Sequence, residues 1–578
     1  MTDTARSRPP AALIWALCLL AGLLVGVSGF SADSNHPTYL PPGLRLADPG
    51  FLAGDWWLNS ARHYHLAFFR LVALLARFGV LEVGLAVLNV LAVAAAMFGC
   101  YRIVRHFRAE RPLAALVLVI ALTLASYGFC TVGSAFLFTP SLQPSTVATS
   151  TTILAMAAFL ERRLGPCGLW LGVAGLFHAN FLVVNLAAFG LAYALAEGLA
   201  VGRSRWRELG RREVMLGALR LLGPSLAVAA ITLPLILSIQ AEQVSPAVAA
   251  RADWIFFHFA VPFHYWPRGW LVRFLPFLGL QALGLVWTAR AVPDEGARRV
   301  VLALQIAFAA MIWTASALTT LVFIPAVSRL FVWRLAPFAL LLAALLAVVG
   351  MLRVVAGGER DAVRLRLSLY ALPLIAVGGA PLVGQWLPTR PVQPMLVIWA
   401  GLLGWAMLHQ RAAAAPKFVL PLSCAALVFG ALTQPSPEPR YSLLTETPGQ
   451  REQAELFAFV ASTTPQSAQF LIPPTLDQFR LRTGRAVVVD LKALPLNRSG
   501  VAEWYRRLED LSGTRNPVDP AEVALGYATL DTARLERLRV QYGISYAVLR
   551  QPNALQAPGW HEVFRNGGFR VLAYTGGR

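Results

Sequence analysis

The chain is dominated by apolar runs of about 20 residues, cut by short Arg-rich turns. A run of that length suits a helix that crosses a bilayer. No water reaches the hydrocarbon core, so every backbone polar group there must be satisfied within the segment. Of the 578 residues only 14% are charged, against roughly 25% in soluble domains. The expected fold is therefore mostly α: a polytopic transmembrane helix bundle of about 13 spans. A small C-terminal α/β domain follows it.

The formal net charge of +20 does not indicate a nucleic-acid partner. The arginines form no single stripe. They recur as clusters between apolar runs, such as Arg102, Arg105, Arg108 and Arg111, then Arg203, Arg205, Arg207, Arg211 and Arg212. That pattern sets membrane orientation. With Arg6 and Arg8 on the cytoplasmic side, the run from Ala11 to Phe30 is a retained first span. It exceeds the roughly 7–15 apolar residues of a signal peptide. The first outer loop then covers 31–79. The stretch Gly168–Ala200 reads as two spans broken near His178-Ala179-Asn180, whereas one long tilted helix would reverse every later span. An odd total puts the C-terminus outside.

Three further spans are expected at Leu367–Trp386, Val397–His409 and Phe418–Ala431. Composition changes near Thr433, where QPSPEP reads as a linker. Residues 1–432 are the expected membrane domain and 433–578 the extracytoplasmic one. In the latter, Gln450–Ser462, Val501–Leu511 and Thr532–Tyr542 have helical periodicity. Phe470–Pro473, Ala486–Leu491, Ile544–Arg550 and Phe569–Tyr574 read as strands. The five cysteines lack CxxC spacing, so neither a zinc site nor a disulfide framework is signalled.

The candidate chemistry lies on the outer side. The first loop carries Asp33, His36, Asp48, Asp55, His63 and His65. A carboxylate at a membrane edge can serve as a general base or bind a divalent cation. Asp33 alternatively caps a turn, and Asp48, before Pro49, suits a turn as well. Trp56 and Trp57 suit interfacial anchoring. Ala61–Phe78 reads as an amphipathic helix along the interface, or as the start of the next span. A second loop, 240–270, holds Arg251, Asp253, His258, His264 and Arg268 among aromatic residues. That composition suits a lipid phosphate and equally an aromatic belt with snorkelling arginines. Arg329, with Arg334 soon after it, opens a later span and either snorkels or pairs with phosphate. His178 and Asn180 either line the same cavity or form a satisfied pair inside the bundle. No HExxH, GxSxG or Walker motif is present.

NHPTYLPPGLRLADPGFLAGDWW, GLWLGVAGLFHAN and the tail pieces TTPQSAQFLIPP, FRLRTGRAVVVDLKALP and RLRVQYGISYAVL resemble bacterial members of the GT-C superfamily of polytopic glycosyltransferases. The resemblance implies a bacterial plasma-membrane enzyme that takes a sugar from a polyprenyl-phosphate-linked donor. The acceptor would be a glycan, lipid or protein, and membrane lipids would be further partners. It also implies that an acid of the first outer loop activates the acceptor or holds a divalent cation; Asp33 is the first match and Asp55 the second. His36, His178, His264, Arg268 and Arg329 would bind substrate. Asp33 is followed by Ser34, not by the second acid of the family's pair, so a non-catalytic scaffold in envelope assembly is the alternative. A transporter fits less well, since no internal repeat is visible.

Overall fold

The computed structural model describes residues 10–28, 35–60, 65–107, 112–125, 128–129, 131–201, 212–270, parts of 281–289, 291–356 and 448–576. The three spans expected between 367 and 431, the QPSPEP linker and Asp33 lie outside them. The chain forms two compact units. Unit 1 comprises 1–32, 82–232 and 263–441, and unit 2 comprises 33–81, 233–262 and 442–578. Unit 2 thus draws on three stretches of chain and not on the C-terminal stretch alone.

Unit 1 is helical. Its described helices are α1 (Ala11–Ser28), α5 (Leu81–His106), α6 (Pro112–Ala125), α7 (Pro144–Leu160), α8 (Leu164–Phe177), α9 (Ala179–Val201), α10 (Arg212–Gln240, whose residues from 233 on count with unit 2), α12 (Glu295–Ala317), α13 (Pro325–Arg329) and α14 (Ala336–Ala356). Five stretches are long and apolar enough to cross a membrane: 81–106, 179–198, 212–239, 295–322 and 325–350. The break expected near His178 is present. His178 is extended, at φ −145° and ψ 108°, and divides α8 from α9. Over 336–350 α14 is apolar all round and buried, as a helix surrounded by others must be. Helices approach closely at small residues: a Cβ on Gly168 of α8 would stand 2.3 Å from the Arg220 carbonyl of α10. At one end of the bundle Arg102 pairs with Glu161, and Arg162 with Glu197.

Unit 2 contains α2 (His36–Ala47), α3 (Trp56–Ser60), α4 (Leu66–Arg77) and α11 (Pro246–Trp254), followed by a π-helical turn, Ile255–Ala260. Its C-terminal part adds α15 (Pro448–Thr463), α16 (Phe479–Thr483), α17 (Arg498–Ser512), α18 (Pro520–Ala528) and α19 (Thr532–Tyr542). Five strands, β1 (Gln469–Leu471), β2 (Ala486–Val487), β3 (Tyr546–Arg550), β4 (Trp560–Arg565) and β5 (Phe569–Tyr574), form a sheet of order β2-β1-β3-β5-β4. Its first two pairings are parallel and the rest antiparallel.

Two sequence expectations change here, and one feature was not anticipated. Pro41 and Pro42 are helical, inside α2. Packing supplies what the missing N–H donors cannot, because α2 buries Leu40, Pro41, Pro42 and Gly43, and Phe68, Phe69, Val72 and Ala73 are buried on α4. The strand expected over Ala486–Leu491 is paired only at Ala486 and Val487. Beyond it Asp490 bonds the Lys492 and Ala493 N–H groups at 2.9 and 2.7 Å and turns the chain. The loop 240–270 is divided between the units. Its first part docks on α17: Glu242 accepts from Ser499 N–H at 3.0 Å, Arg498 meets Asp253 at 3.5 Å, and Phe259 sits edge-on to Tyr505 at 5.0 Å.

Gly43 sets the spacing of α2 on α4. A Cβ there would lie 2.6 Å from Val72 side-chain atoms and 2.8 Å from the Phe69 carbonyl. Gly43→Ala is therefore expected to destabilise unit 2 by roughly 1–3 kcal/mol, the usual cost of overpacking. Thermal unfolding in detergent reads this directly; an unchanged melting curve would show the contact to be slack.

Candidate functional site

At the end of unit 1 away from the Arg102–Glu161 pair, three irregular segments meet. α6 has 14 residues and α7 has 17. At 1.5 Å per residue they reach only about 21 and 26 Å, short of a bilayer core of about 30 Å. The connecting loop 128–143 is therefore irregular backbone held against the bundle, as the bilayer requires of any non-helical segment. Gly128 and Gly133 have φ of +67° and +66°. The loop's polar groups satisfy one another: Asn89 of α5 donates to the Thr139 carbonyl at 3.2 Å, and the Thr139 hydroxyl donates to the Ser141 carbonyl at 2.7 Å.

The second segment is 262–270. His264 Nδ1 lies 2.6 Å from the Gly133 carbonyl oxygen. A carbonyl only accepts, so Nδ1 carries the proton. The His264 ring meets Phe331 edge-on at 5.2 Å. The third segment, 318–335, begins with a π-helical turn, Leu318–Val322, and includes α13. Phe323 and Phe331 flank α13 with φ of 56° and 45°, a region costly for residues with a Cβ. The Ser328 hydroxyl of α13 donates to the Tyr265 carbonyl.

Arg334 lies in the third segment, in the short turn Val332–Leu335. Its guanidinium carbon lies 5.3 Å from the Phe181 ring centroid and 5.0 Å from that of Phe331. Its Nε–H has no acceptor among the described residues. No Asp or Glu occurs anywhere in 128–143, 262–270 or 318–335. Two aromatic rings thus lie against the guanidinium, as cations and ring faces attract. Burial raises the Tyr265 phenol pKa, against the opposing pull of Arg334 and Arg329, so the phenol is a hydrogen-bond donor at neutral pH.

The residues singled out in the sequence divide as follows. His264, Arg268 and Arg329 belong to this end of unit 1, with His178 near them through Phe181, whose ring centroid is 5.2 Å from that of His178. His178 is buried, and Asn180 donates to the Leu330 carbonyl. Arg268 is exposed, but its Nε–H donates to the Thr320 carbonyl at 2.8 Å, and its Nη2 reaches the Leu321 carbonyl at 3.5 Å. It caps the turn that ends α12, a common use for a cation at a helix C-terminus. Arg334, noted in the sequence only as a neighbour of Arg329, keeps a buried Nε–H without an acceptor among the described residues. Gly133 was not anticipated; a small residue in a loop without charge gives no signal until the loop folds.

His36 and Asp55 lie in unit 2. His36 is buried on α2. Asp55 has no exposure, and both its oxygens are engaged. Oδ2 accepts from Arg480 Nε at 2.8 Å and from Val487 N–H at 3.3 Å, while Oδ1 accepts from Leu58 N–H at 3.0 Å. Arg480 also donates to Asp490 and stacks over Trp57 at 5.2 Å. Burial would lower the Arg480 pKa, but the two carboxylates outweigh it and hold the pKa above its ordinary value. A carboxylate so enclosed does not meet a substrate; it joins the first loop to the C-terminal sheet. Among the described residues no group of three or more His, Cys, Asp or Glu could hold a metal ion.

The model of a domain of unknown function, DUF6798, matches residues 451–511, within unit 2. No curated protein matches the sequence. Similar solved structures include that of ArnT from Cupriavidus metallidurans in the apo state, at 14% identity and a TM-score of 0.41, with 97% of each chain covered. Another is the Archaeoglobus fulgidus oligosaccharyltransferase in complex with Zn and sulfate, at 11% identity and a TM-score of 0.42, covering 93% of this chain and 68% of that one. Both are GT-C superfamily glycosyltransferases. At such low TM-scores the functional reading rests on this chain's own residues.

Proposed function

We propose that the protein is a polytopic membrane glycosyltransferase that binds a polyprenyl-phosphate-linked sugar and transfers the sugar to a glycan, lipid or protein acceptor. The reaction takes place on the extracytoplasmic face of a bacterial plasma membrane. The observation that carries this reading is Arg334, with a buried N–H lacking an acceptor among the described residues, in acid-free segments at the end of an apolar bundle. A lipid phosphate supplies both a negative charge for that edge and a hydrocarbon chain for the surrounding apolar helices. Arg329 is the second cation of the site. Asp33, the first acid after α1, activates the acceptor as base or divalent-cation ligand; Asp55 is left a structural part.

Purified protein in nanodiscs, supplied with a panel of undecaprenyl-phosphate-linked hexoses and pentoses, tests the proposal. Wild type is expected to consume at least one donor, and Asp33→Asn to lose roughly a hundredfold or more in rate. Full activity in Asp33→Asn would remove that residue from the mechanism. The second reading is a GT-C-like scaffold without turnover, favoured by Ser34 standing after Asp33 where the family has another acid. Protein that binds undecaprenyl phosphate and transfers no sugar would select it.

A further inference from the structure

We infer that Arg220, on the exposed face of α10, seats the phosphate of an anionic phospholipid whose acyl chain runs along the apolar stripe of the same helix. The site belongs to unit 1, toward the end that carries the Arg102–Glu161 pair. It does not depend on the transferase reading.

α10 packs on its neighbours along one side. Gly217, Leu221 and Ser225 are buried, one turn apart. Small residues of α8 let the two backbones meet there. A Cβ on Gly168 would lie 2.3 and 2.6 Å from the Arg220 and Leu221 carbonyls, and one on Gly172 would lie 3.2 Å from Pro224. The Tyr193 hydroxyl of α9 donates to the Val214 carbonyl at 2.9 Å. Arg220 is therefore carried on a backbone held at several points. The other side of α10 is open. Leu216, Arg220, Ala227 and Ile231 recur at helical spacing and are all exposed, Ile231 to 76%. Leu219, beside them, is 63% exposed.

From Leu216 to Ile231 the only charge is Arg220. Among the described residues no acid pairs with it. Glu213, the only acid of α10, stands two turns away, and no ion pair joins the two. α8 has no acid, and Glu197 of α9 is taken by Arg162. The next 19 residues, 221–239, carry no charge. At 1.5 Å per residue they rise about 28 Å, close to a bilayer core of about 30 Å, so Arg220 stands at the level of the lipid phosphates. By the positive-inside pattern this end faces the cytoplasmic leaflet, whose anionic lipids make its surface negative. A helical side chain leans toward the helix N-terminus, which lays the guanidinium over the exposed Leu216, an apolar neighbour. A phosphate gives the cation its counter-charge at that place. Ile231, 11 residues on, is about 16 Å along the axis, within the length of an acyl chain. One lipid thus matches both the charge and the apolar stripe.

The test uses purified full-length protein, delipidated in detergent and followed by native mass spectrometry. The probes are dioleoylphosphatidylglycerol and dioleoylphosphatidylcholine, which share their chains and differ in net charge. Wild type is expected to retain one phosphatidylglycerol in preference to phosphatidylcholine. Arg220→Gln is expected to melt like wild type and to lose roughly tenfold or more in phosphatidylglycerol affinity, the effect of one hydrogen bond to a charged group. Ile231→Ser, which touches the chain alone, should weaken both lipids alike. Arg212→Gln, at the start of the same helix, measures the general pull of a basic surface, roughly fivefold or less. An Arg220→Gln loss no greater than that of Arg212→Gln overturns the inference, and so does equal wild-type affinity for the two lipids. Light scattering on the same samples reads the other occupant. Wild type that self-associates, with an Arg220→Gln protein that does not, assigns the stripe to a second copy and overturns the lipid site. None of these readings involves sugar transfer, so the transferase proposal stands or falls separately.

Discussion

Arg480→Met is expected to unfold or detach the C-terminal sheet of unit 2 from the first loop, the largest stability loss of any single substitution considered. Asp55, Arg480 and Asp490 are each no more than 1% exposed. Removing the cation strands two carboxylates in a region that water does not reach. Breaking a buried pair in this way costs about 3–5 kcal/mol, and two acids share this one partner. Limited proteolysis of the detergent-solubilised protein should release fragments from 448–576 at temperatures where wild type resists. The triple variant Asp55→Asn, Arg480→Met, Asp490→Asn should recover part of the loss, because a buried ionic group replaced as a whole is often close to neutral. An Arg480→Met protein with the wild-type protease pattern would show that the clasp contributes little.

Arg334→Gln is expected to abolish the interaction with lipid phosphate. Its buried Nε–H has no acceptor among the described residues, and Phe181 and Phe331 lie against the guanidinium. Glutamine retains polarity and loses the charge and the planar fork. Lysine should not rescue, since an ammonium neither stacks between rings nor presents paired donors. Removing one charge-stabilising donor from an enclosed site commonly costs about 10²–10³ in rate. Undecaprenyl phosphate titrated into wild type and variant, followed by tryptophan fluorescence, separates binding from turnover. Wild-type affinity in both Arg334→Gln and Arg334→Lys would remove Arg334 from the site. By contrast, Arg268→Gln should act mainly on the turn it caps through the Thr320 and Leu321 carbonyls, and so on stability.

Several elements were readable directly from residue order. β5 coincides with the expected Phe569–Tyr574 and α19 with Thr532–Tyr542, because short-range periodicity and flanking glycines define both. The break at His178 was readable too, since a polar His-Ala-Asn step interrupts an apolar stretch too long for one span. α18 and β4 were not expected. Their faces are partly exposed, and their apolar spacing is weak. Of the site, Arg329, His264 and Arg268 were singled out because charge is conspicuous against an apolar background. What each one does was not readable. Arg268 and Arg334 are the same residue type in similar aromatic company, yet two carbonyls occupy one of them and aromatic rings frame the other.

By itself the sequence determined that the chain is built of apolar spanning helices and that a separate polar α/β part follows them. Both depend on the composition of contiguous residues and on the solvent those residues require. Only the tertiary structure decided which acids are engaged, and that Arg334 keeps an N–H without an acceptor among the described residues. Asp55 meets Arg480 across 425 residues, and His264 takes its tautomer from a carbonyl 131 residues away. A side chain's chemistry depends on its nearest partners and on its burial, and here folding brings those partners from distant parts of the chain.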